Sequence, residues 1–352
     1  MLTEGVCKLL VNRQYYNLDD LSIRTVHPSI LLDLAEEFGG NRNKLLTLAG
    51  ISKHTIASST ARISARQYIA LIEQTMQATK SPGLGELHGR LIDVTATGQM
   101  ASLVLCCSTF GEAAFYAQKY IRLSGVVFDF ESKLSNDLNH IHLINRFPVD
   151  HKTQRFLIES WITSWLSHSQ FMLGTDFHFA TIKVTYPKPK HSTFYNDILV
   201  KKIEFNADCN EVAYVNSYNS IKLRSSNKHS KKLLIKACSE ELEKLQQLES
   251  ISSRVADAIM TTNNMSSTIN DIATLLNIAP RTLGKKLAHG GTTFQKVLND
   301  VRRCKALTYI KNQEMTICDI AAELGFSDTS NFRRAFKSWT GKPPSFFRQI
   351  VQ

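Results

Sequence analysis

The side chains in this chain that could do chemistry are a few cations and hydroxyls near its C-terminus. Arg333 and Arg334 stand side by side, one helical turn after Thr329 and Ser330, and Arg281 with Lys285 forms a similar group earlier in the chain. A guanidinium presents paired N–H donors that match O6 and N7 of guanine, an ammonium is a point charge suited to phosphate, and a hydroxyl serves either. An arginine reading guanine is worth roughly 1–3 kcal/mol of discrimination between bases. A phosphate contact strengthens binding to every sequence about equally. The implied chemistry is recognition of a duplex.

Such side chains need a short helix on a compact seat. The stretch from Thr316 to Phe336 reads as two helices around a tight turn. Ile320, Ala321 and Leu324 recur at helical spacing and mark a buried face. Gly325 stands where the first helix must stop, and Ser327 or Asp328 can cap the second. Phe332, Ala335, Phe336 and Trp339 form the second helix's inner face, which leaves Thr329, Ser330, Arg333 and Arg334 outward. A second copy lies upstream: Thr268 to Leu276 aligns with Thr316 to Leu324, and after a one-residue slip Leu283, Lys285 and Leu287 match Phe332, Arg334 and Phe336. With Leu283 and Leu287 inward, Arg281, Gly284 and Lys285 face out. Gly284 offers no side chain to a base and lowers helix stability by about 0.8–1 kcal/mol relative to alanine. Between the units, Phe294 to Ile310 reads as a connecting helix. Its Arg302–Arg303 pair is a candidate for contact with phosphate or with the partner unit, and Lys337, Lys342 and Arg348 beyond the second unit are candidates for phosphate contact.

The residues from Ile251 onward resemble the DNA-binding domain of the AraC/XylS family of transcription regulators. The resemblance runs from Asp319-Ile320-Ala321 through Gly325-Phe326-Ser327-Asp328 and Phe332 to Lys337, then to Gly341, Pro344, Phe347 and Arg348. Phe347 stands where the family usually has tyrosine. A long or polar side chain is more usual in the family where this chain has Gly284, so the first unit is expected to read fewer bases directly. The resemblance implies two tandem helix-turn-helix units that grip successive major-groove segments of promoter DNA. Arg281, Lys285, Thr329, Ser330, Arg333 and Arg334 match the family positions that meet DNA.

The charge distribution agrees. At 352 residues and 39.7 kDa the chain has room for two or three domains. Of its net charge of +11, the residues from Ile251 onward hold +7, with 14 Lys and Arg against 7 Asp and Glu. A basic excess in that segment is what phosphate contact requires. No apolar run approaches the length that spans a bilayer, and residues 1 to 17 lack a signal-peptide layout. A soluble, cytoplasmic protein without a membrane partner is expected. The cysteines at 7, 106, 107, 209, 238, 304 and 318 are odd in number and form no Cys-x-x-Cys pair. That argues against a disulfide framework or a structural zinc site. His140, His142, His151, His168 and His178 lack metal-ligand spacing. Neither a metal nor a cofactor is expected.

Upstream the pattern is mixed. Helices are expected over His27–Phe38, Ser64–Ala78, Leu84–Ile92, Thr109–Ile121 and Thr153–Leu173. Strands are expected at Met100–Cys107, Gly125–Phe130, Phe179–Tyr186, Val200–Phe205 and Glu211–Val215. Trp161 and Trp165, four apart on the last helix, read as core rather than as a ligand wall. This part resembles the arabinose-binding-like domain of one branch of the same family. The motifs are Thr109-Phe110-Gly111-Glu112-Ala113, Tyr186-Pro187-Lys188-Pro189 and Phe205-Asn206-Ala207. The resemblance implies a domain that senses a small-molecule effector, carries a homodimer contact, or both. The residues themselves identify no effector contact.

The expected architecture has two domains, mixed α/β followed by all-α. Residues 1–217 form the sensor and dimerisation domain, 218–250 a polar linker and connecting helix, and 251–352 the double helix-turn-helix domain. In the connecting helix, Leu234, Cys238, Leu242, Leu245 and Leu248 form a stripe that packs within a domain or pairs with its twin. The expected function is sequence-specific transcription regulation, with activation through RNA polymerase as the family's commoner mode. The competing readings are an architectural or protein-interaction module, whose basic helices never meet DNA, and a DNA-tethered enzyme. For the enzyme reading, Cys106-Cys107 lacks the proline and histidine company of a methyl-acceptor site.

Overall fold

A computed structural model describes residues 18–352 apart from positions 59, 82, 126, 146–148, 175–176, 190–199, 249, 263, 311–314, 341–342 and 350–352; at 129, 145, 201, 246–248, 308, 346, 347 and 349 it describes the backbone alone. The chain divides into two compact units that part between Leu248 and Glu249. The first is mixed α/β and the second all-helical, as the hydrophobic patterning predicts.

The first unit opens with β1 (Leu21–Arg24), paired antiparallel with β2 (Arg62–Ser64) around α1 (Val26–Glu37), α2 (Arg42–Leu48) and α3 (Lys53–Ala57). Then come α4 (Ala65–Thr79), α5 (Leu84–Leu91), α6 (Gln99–Leu105), α7 (Phe110–Lys119) and α8 (Ile121–Ser124). The sheet is built from β3 (Phe128–Ser135), β4 (Leu138–Asn145), β5 (Phe179–Lys183), β6 (Val200–Glu204) and β7 (Asn210–Val215), in the order β3-β4-β7-β5-β6. Its pairs are antiparallel except β5 with β6. The long helix α9 (His151–Leu173) runs between β4 and β5 in sequence. Asn136 and Asp137 at φ 51° and 60° make the tight β3–β4 turn, the left-handed pair that a two-residue hairpin favours.

Met100–Cys107, expected as a strand, is the helix α6. Met100, Ala101, Leu103 and Val104 are its buried residues, a helical spacing that a short apolar run does not distinguish from a fully buried strand. The strand β4 had no counterpart among the expected elements. Its alternation of Asn139, Ile141 and Leu143 with His140 and His142 is a period-2 pattern in which histidines take the polar positions.

Helices α5 and α9 approach closely because α5 carries Gly85 and Gly89. A Cβ on Gly85 would lie 2.5 Å from the Phe156 carbonyl oxygen, and one on Gly89 would collide with that of Ser160. Two buried histidines tie the surrounding helices, His88 joining α5 to α9 and α1, and His27 joining α1 to α8. His88 Nε2–H donates to the carbonyl of His27 at 3.0 Å, and its Nδ1 lies 2.8 Å from Ser160 Oγ. His27 Nε2–H donates to the carbonyl of Ser124 at 2.7 Å. Burial pulls both imidazoles down to about 4, so both are neutral at pH 7.

The stretch read as a linker is hydrogen-bonded along much of its length to this unit. Phe110 N donates to Ile221 O at 3.0 Å, Leu223 N to Ser108 O at 3.1 Å and Asn227 N to Cys106 O at 3.1 Å. The helix after it, α10 (Lys228–Leu248), buries Cys238 and Leu245 against Met100, Leu103, Tyr120 and Leu123. Polar ties reinforce the seat. Arg24 and Arg62 each reach Glu241 at 3.1 Å, Lys231 reaches Glu112 at 2.6 Å, and Tyr120 Oη lies 2.9 Å from Ser239 Oγ. The inner part of the leucine stripe is therefore occupied within its own unit.

The second unit comprises α11 (Ile251–Thr262), α12 (Ile269–Leu275), α13 (Pro280–His289), α14 (Phe294–Tyr309), α15 (Ile317–Glu323), α16 (Thr329–Thr340) and α17 (Pro344–Gln349). One continuous core joins it, from Val255 and Ile259 through Ile272, Leu283, Leu287 and Val301 to Ile320, Phe332 and Phe336. No helix among the described residues is long and apolar enough to cross a membrane.

Candidate nucleic-acid interface

The two helix-turn-helix units start in the same way. Thr268 and Thr316 each close a capping box with the aspartate three residues on, Asp271 and Asp319, which satisfies backbone N–H groups the first turn would otherwise leave unpaired. The turns that follow need a left-handed residue. The second unit uses Gly325 at φ 70° and the first uses Asn277 at φ 53°. Both are residue types that tolerate this region. Helix α13 then begins with Pro280 in its first turn, where the missing N–H has no intrahelical role. Helix α16 begins after Asp328, whose Oδ1 accepts from Asn331 N at 2.7 Å.

Both second helices bury a narrow apolar edge and expose the rest. In α13, Leu283 and Leu287 are buried, while Arg281 and Lys285 are exposed. In α16, Phe332 and Phe336 are buried; Ser330, Arg333, Arg334 and Lys337 are exposed and Thr329 is half-buried. Arg334 Nη2 donates to Asn331 Oδ1 at 2.6 Å, which orients its guanidinium along the start of the helix. Ala335 and Trp339, assigned inward, are half-buried, and Trp339 packs on the rim of the core beside Phe326. Gly284 has only Ile269 Cδ1 near the position of a Cβ, at 3.9 Å, so the first helix has an open notch in its outward face.

Of the two partners expected for Arg302, phosphate or the other unit, its hydrogen bonds go to the units themselves. Its Nε and Nη2 donate to the carbonyl of Met265 at 3.2 and 2.6 Å, and Nη2 also reaches the carbonyl of Gly325 at 3.3 Å. Its guanidinium carbon lies 4.8 Å from the centre of the Phe326 ring. Burial pulls its pKa down from the ordinary guanidinium value. The cation is thus engaged inside the unit, joining the segment before α12 to the turn before α16. Its neighbour Arg303 stays near Asp300, at 3.8 Å. Arg348 is likewise engaged, donating to the carbonyl of Met315. Lys342 lies outside the described residues.

The N-terminal unit holds two features that sequence spacing did not disclose. The first is a cavity of about 210 Å³ between α7, α9 and the sheet, walled by residues that include Trp161, Trp165, Phe115, Phe130, Gln118 and Ile141. Trp161 and Trp165 stack at 5.2 Å and line this cavity, while Trp165 also packs against the buried core rings of Phe177, Phe179 and Tyr214. The second is a polar cluster on β4 and β7. His142, Cys209 and Glu211 bring one ligand-type atom each within 4.8 Å of one another. His140 and Lys183 approach Glu211 at 3.2 and 3.3 Å. Hydrogen bonds to Cys209 and Glu211 push His142 up to about 9. Burial works against the Glu211 charge, but hydrogen bonds from His142 and His140 hold its carboxyl down to about 2. Protonated His142 and the Lys183 ammonium outnumber the Glu211 carboxylate, so the cluster opposes a further cation. His140 with His142, and Cys209 with Glu211, are close in sequence, but the two pairs and Lys183 lie far from one another, and pairing of the strands brings them together.

Comparison with known proteins bears on both units. Residues 39–218 match the family model described as the arabinose-binding domain of AraC transcription regulator, N-terminal, and residues 272–350 match a helix-turn-helix domain model. The chain is similar to the ornithine utilization regulator of Pseudomonas aeruginosa, 27% identical over 96% of this chain and 99% of that protein. It is also similar to the transcriptional activator RhrA of Rhizobium meliloti, 34% identical over 25% of this chain and 29% of the other. Among solved structures, the transcriptional regulator CdpR from Pseudomonas aeruginosa aligns with a TM-score of 0.41 at 18% identity, covering 87% of this chain and 96% of that one.

Proposed function

Because the chain belongs to the AraC/XylS family of DNA-binding transcription regulators, we propose that it reads specific promoter sequences by placing α13 and α16 in successive major-groove segments. Arg333 and Arg334 contact base edges or phosphates in one segment, with Thr329 and Ser330 beside them. Arg281 and Lys285 do so in the other, where the notch at Gly284 leaves fewer direct base contacts. Lys337 contributes through phosphate. Residues 251–352 carry this reading, residues 1–217 sense a small-molecule effector and offer a surface for a second copy of the chain, and 218–250 connect them. Bound beside a promoter, the protein activates by contact with RNA polymerase.

One observation carries the reading. Two identically capped helix pairs share a single core, and on their outward faces Arg281, Lys285 and Arg333 are exposed cations that make no hydrogen bond or ion pair with the described residues. Solvent-facing cations on a rigid pair of helices suit a polyanion of fixed geometry. Mapping the sites bound by the full chain across its host genome tests the proposal. A shared motif with two recognised segments is expected. Bound sites without a common motif, from a folded protein, would favour an architectural role instead.

A further inference from the structure

The cavity in the N-terminal unit has an unusual wall. It is mainly apolar and includes Phe115, Phe130, Ile141, Trp161 and Trp165, and the described residues that line the cavity include no Asp, Glu, Lys or Arg. Its two histidines do not add charge. His27 and His168 turn an Nε2–H onto the backbone carbonyls of Ser124 and Ile92, at 2.7 and 2.9 Å, and burial lowers the pKa of both rings. Space comes from α7, which presents Gly111, Ala114 and Ala117 to the cavity at helical spacing. One polar group is left over. Gln118 Oε1 accepts from Ser132 Oγ at 3.2 Å, while Gln118 Nε2 is buried without a hydrogen-bond partner. An unsatisfied buried donor is destabilising, and an acceptor arriving with a ligand would remove that penalty.

We propose that this cavity binds an uncharged, largely apolar molecule that lies against the Trp161–Trp165 pair and presents a carbonyl-type acceptor to Gln118 Nε2. The inference rests on the reading that the N-terminal unit senses an effector, and it names the chemical class. A zwitterion or a dibasic amino acid would lose its hydration here and find no counter-charge in the wall. A flat aromatic or alicyclic ketone, ester, amide or lactone loses little hydration and gains the aromatic surface.

The test uses the full chain and 6-propionyl-2-(dimethylamino)naphthalene, an uncharged aromatic ketone whose emission shifts to the blue on leaving water. Saturable one-to-one binding is expected, with energy transfer from tryptophan. Ala114→Trp, which fills the cavity, should weaken binding at least about tenfold; Gln118→Leu, which keeps the volume and deletes the donor, should weaken it about two- to tenfold. L-Ornithine at millimolar concentration should leave the emission unchanged. The proposal is overturned if the folded protein shows no saturable binding, if Ala114→Trp binds as wild type does, or if L-ornithine displaces the probe. A parallel comparison of transcripts from hosts carrying wild type and Ala114→Trp separates the two layers. Altered regulation without probe binding leaves the cavity an effector site for another chemical class. Unchanged regulation, with DNA binding intact, removes the effector reading itself.

Discussion

Arg302 donates a hydrogen bond to the carbonyl of Gly325 at 3.3 Å, from a guanidinium that also holds the carbonyl of Met265 at 2.6 Å. The first carbonyl lies in the turn before α16 and the second in the segment before α12, so one side chain ties the entrance of the first DNA-reading unit to the internal turn of the second. Gly325 makes the approach possible, since a Cβ there would lie 2.5 Å from Ser266 Oγ and 2.9 Å from the Met265 carbonyl carbon. The spacing of the two recognition helices is therefore set partly by this contact and partly by the common core around Val301.

Replacing Arg302 by lysine keeps the charge and removes the fork. Loss of charge-assisted, half-buried hydrogen bonds to two backbone carbonyls should cost about 2 kcal/mol, visible as a lower midpoint in denaturant. The salt dependence of DNA binding should keep its slope, because no phosphate contact is lost. A shallower slope at unchanged stability would instead return Arg302 to the phosphate.

Gly325→Ala places a Cβ against Met265 and Ser266 at a φ of 70°. A destabilisation of about 1–3 kcal/mol is expected from overpacking and left-handed strain together. Gly291 has a similar φ of 71° with nothing within 4 Å of a Cβ, so Gly291→Ala should feel the strain alone and lose less. Equal losses in the two variants would mean that the Gly325 approach carries no packing constraint.

Acid should weaken the N-terminal unit before its carboxylates titrate. His27 and His88 have folded pKa values of about 4 against an ordinary value of 6.5. The unfolded chain therefore binds more protons between these limits. The stability that their burial as neutral rings provides is complete above pH 6.5 and is lost as pH falls towards 4. His88→Gln, which can still donate to His27 O, should show a shallower fall of melting temperature between pH 6.5 and 4.5 than wild type. Parallel curves for the two proteins would exclude His88 from this linkage.

Arg333→Ala should reduce binding to a specific site by about 1–3 kcal/mol and affect random DNA much less. Anisotropy titrations at fixed salt on the two DNAs measure the difference. Equal losses would identify Arg333 as a phosphate contact.

The helix-turn-helix units were legible because their determinants are local. Capping threonines, the Gly325 turn and the 3.6-residue apolar spacing lie within a few residues of each other. Arg302 stayed open between phosphate and the other unit because a cation on a connecting helix looks the same whether it faces solvent or two carbonyls 37 and 23 residues away. The same limit hid the N-terminal site. Trp161 and Trp165 have core spacing, and only the sheet beneath them, including the unanticipated β4, leaves a space for them to wall. The α6 segment was misread because a short apolar run carries no period of its own.

Chemical probing of guanine N7 on one mapped promoter tests the central claim most directly, since that atom faces the major groove. The account predicts two protected segments on one face of the DNA, about one helical turn apart; Arg333→Ala should remove protection from one and Arg281→Ala with Lys285→Ala from the other. A single protected segment, or protection that these substitutions in folded protein leave unchanged, would contradict it.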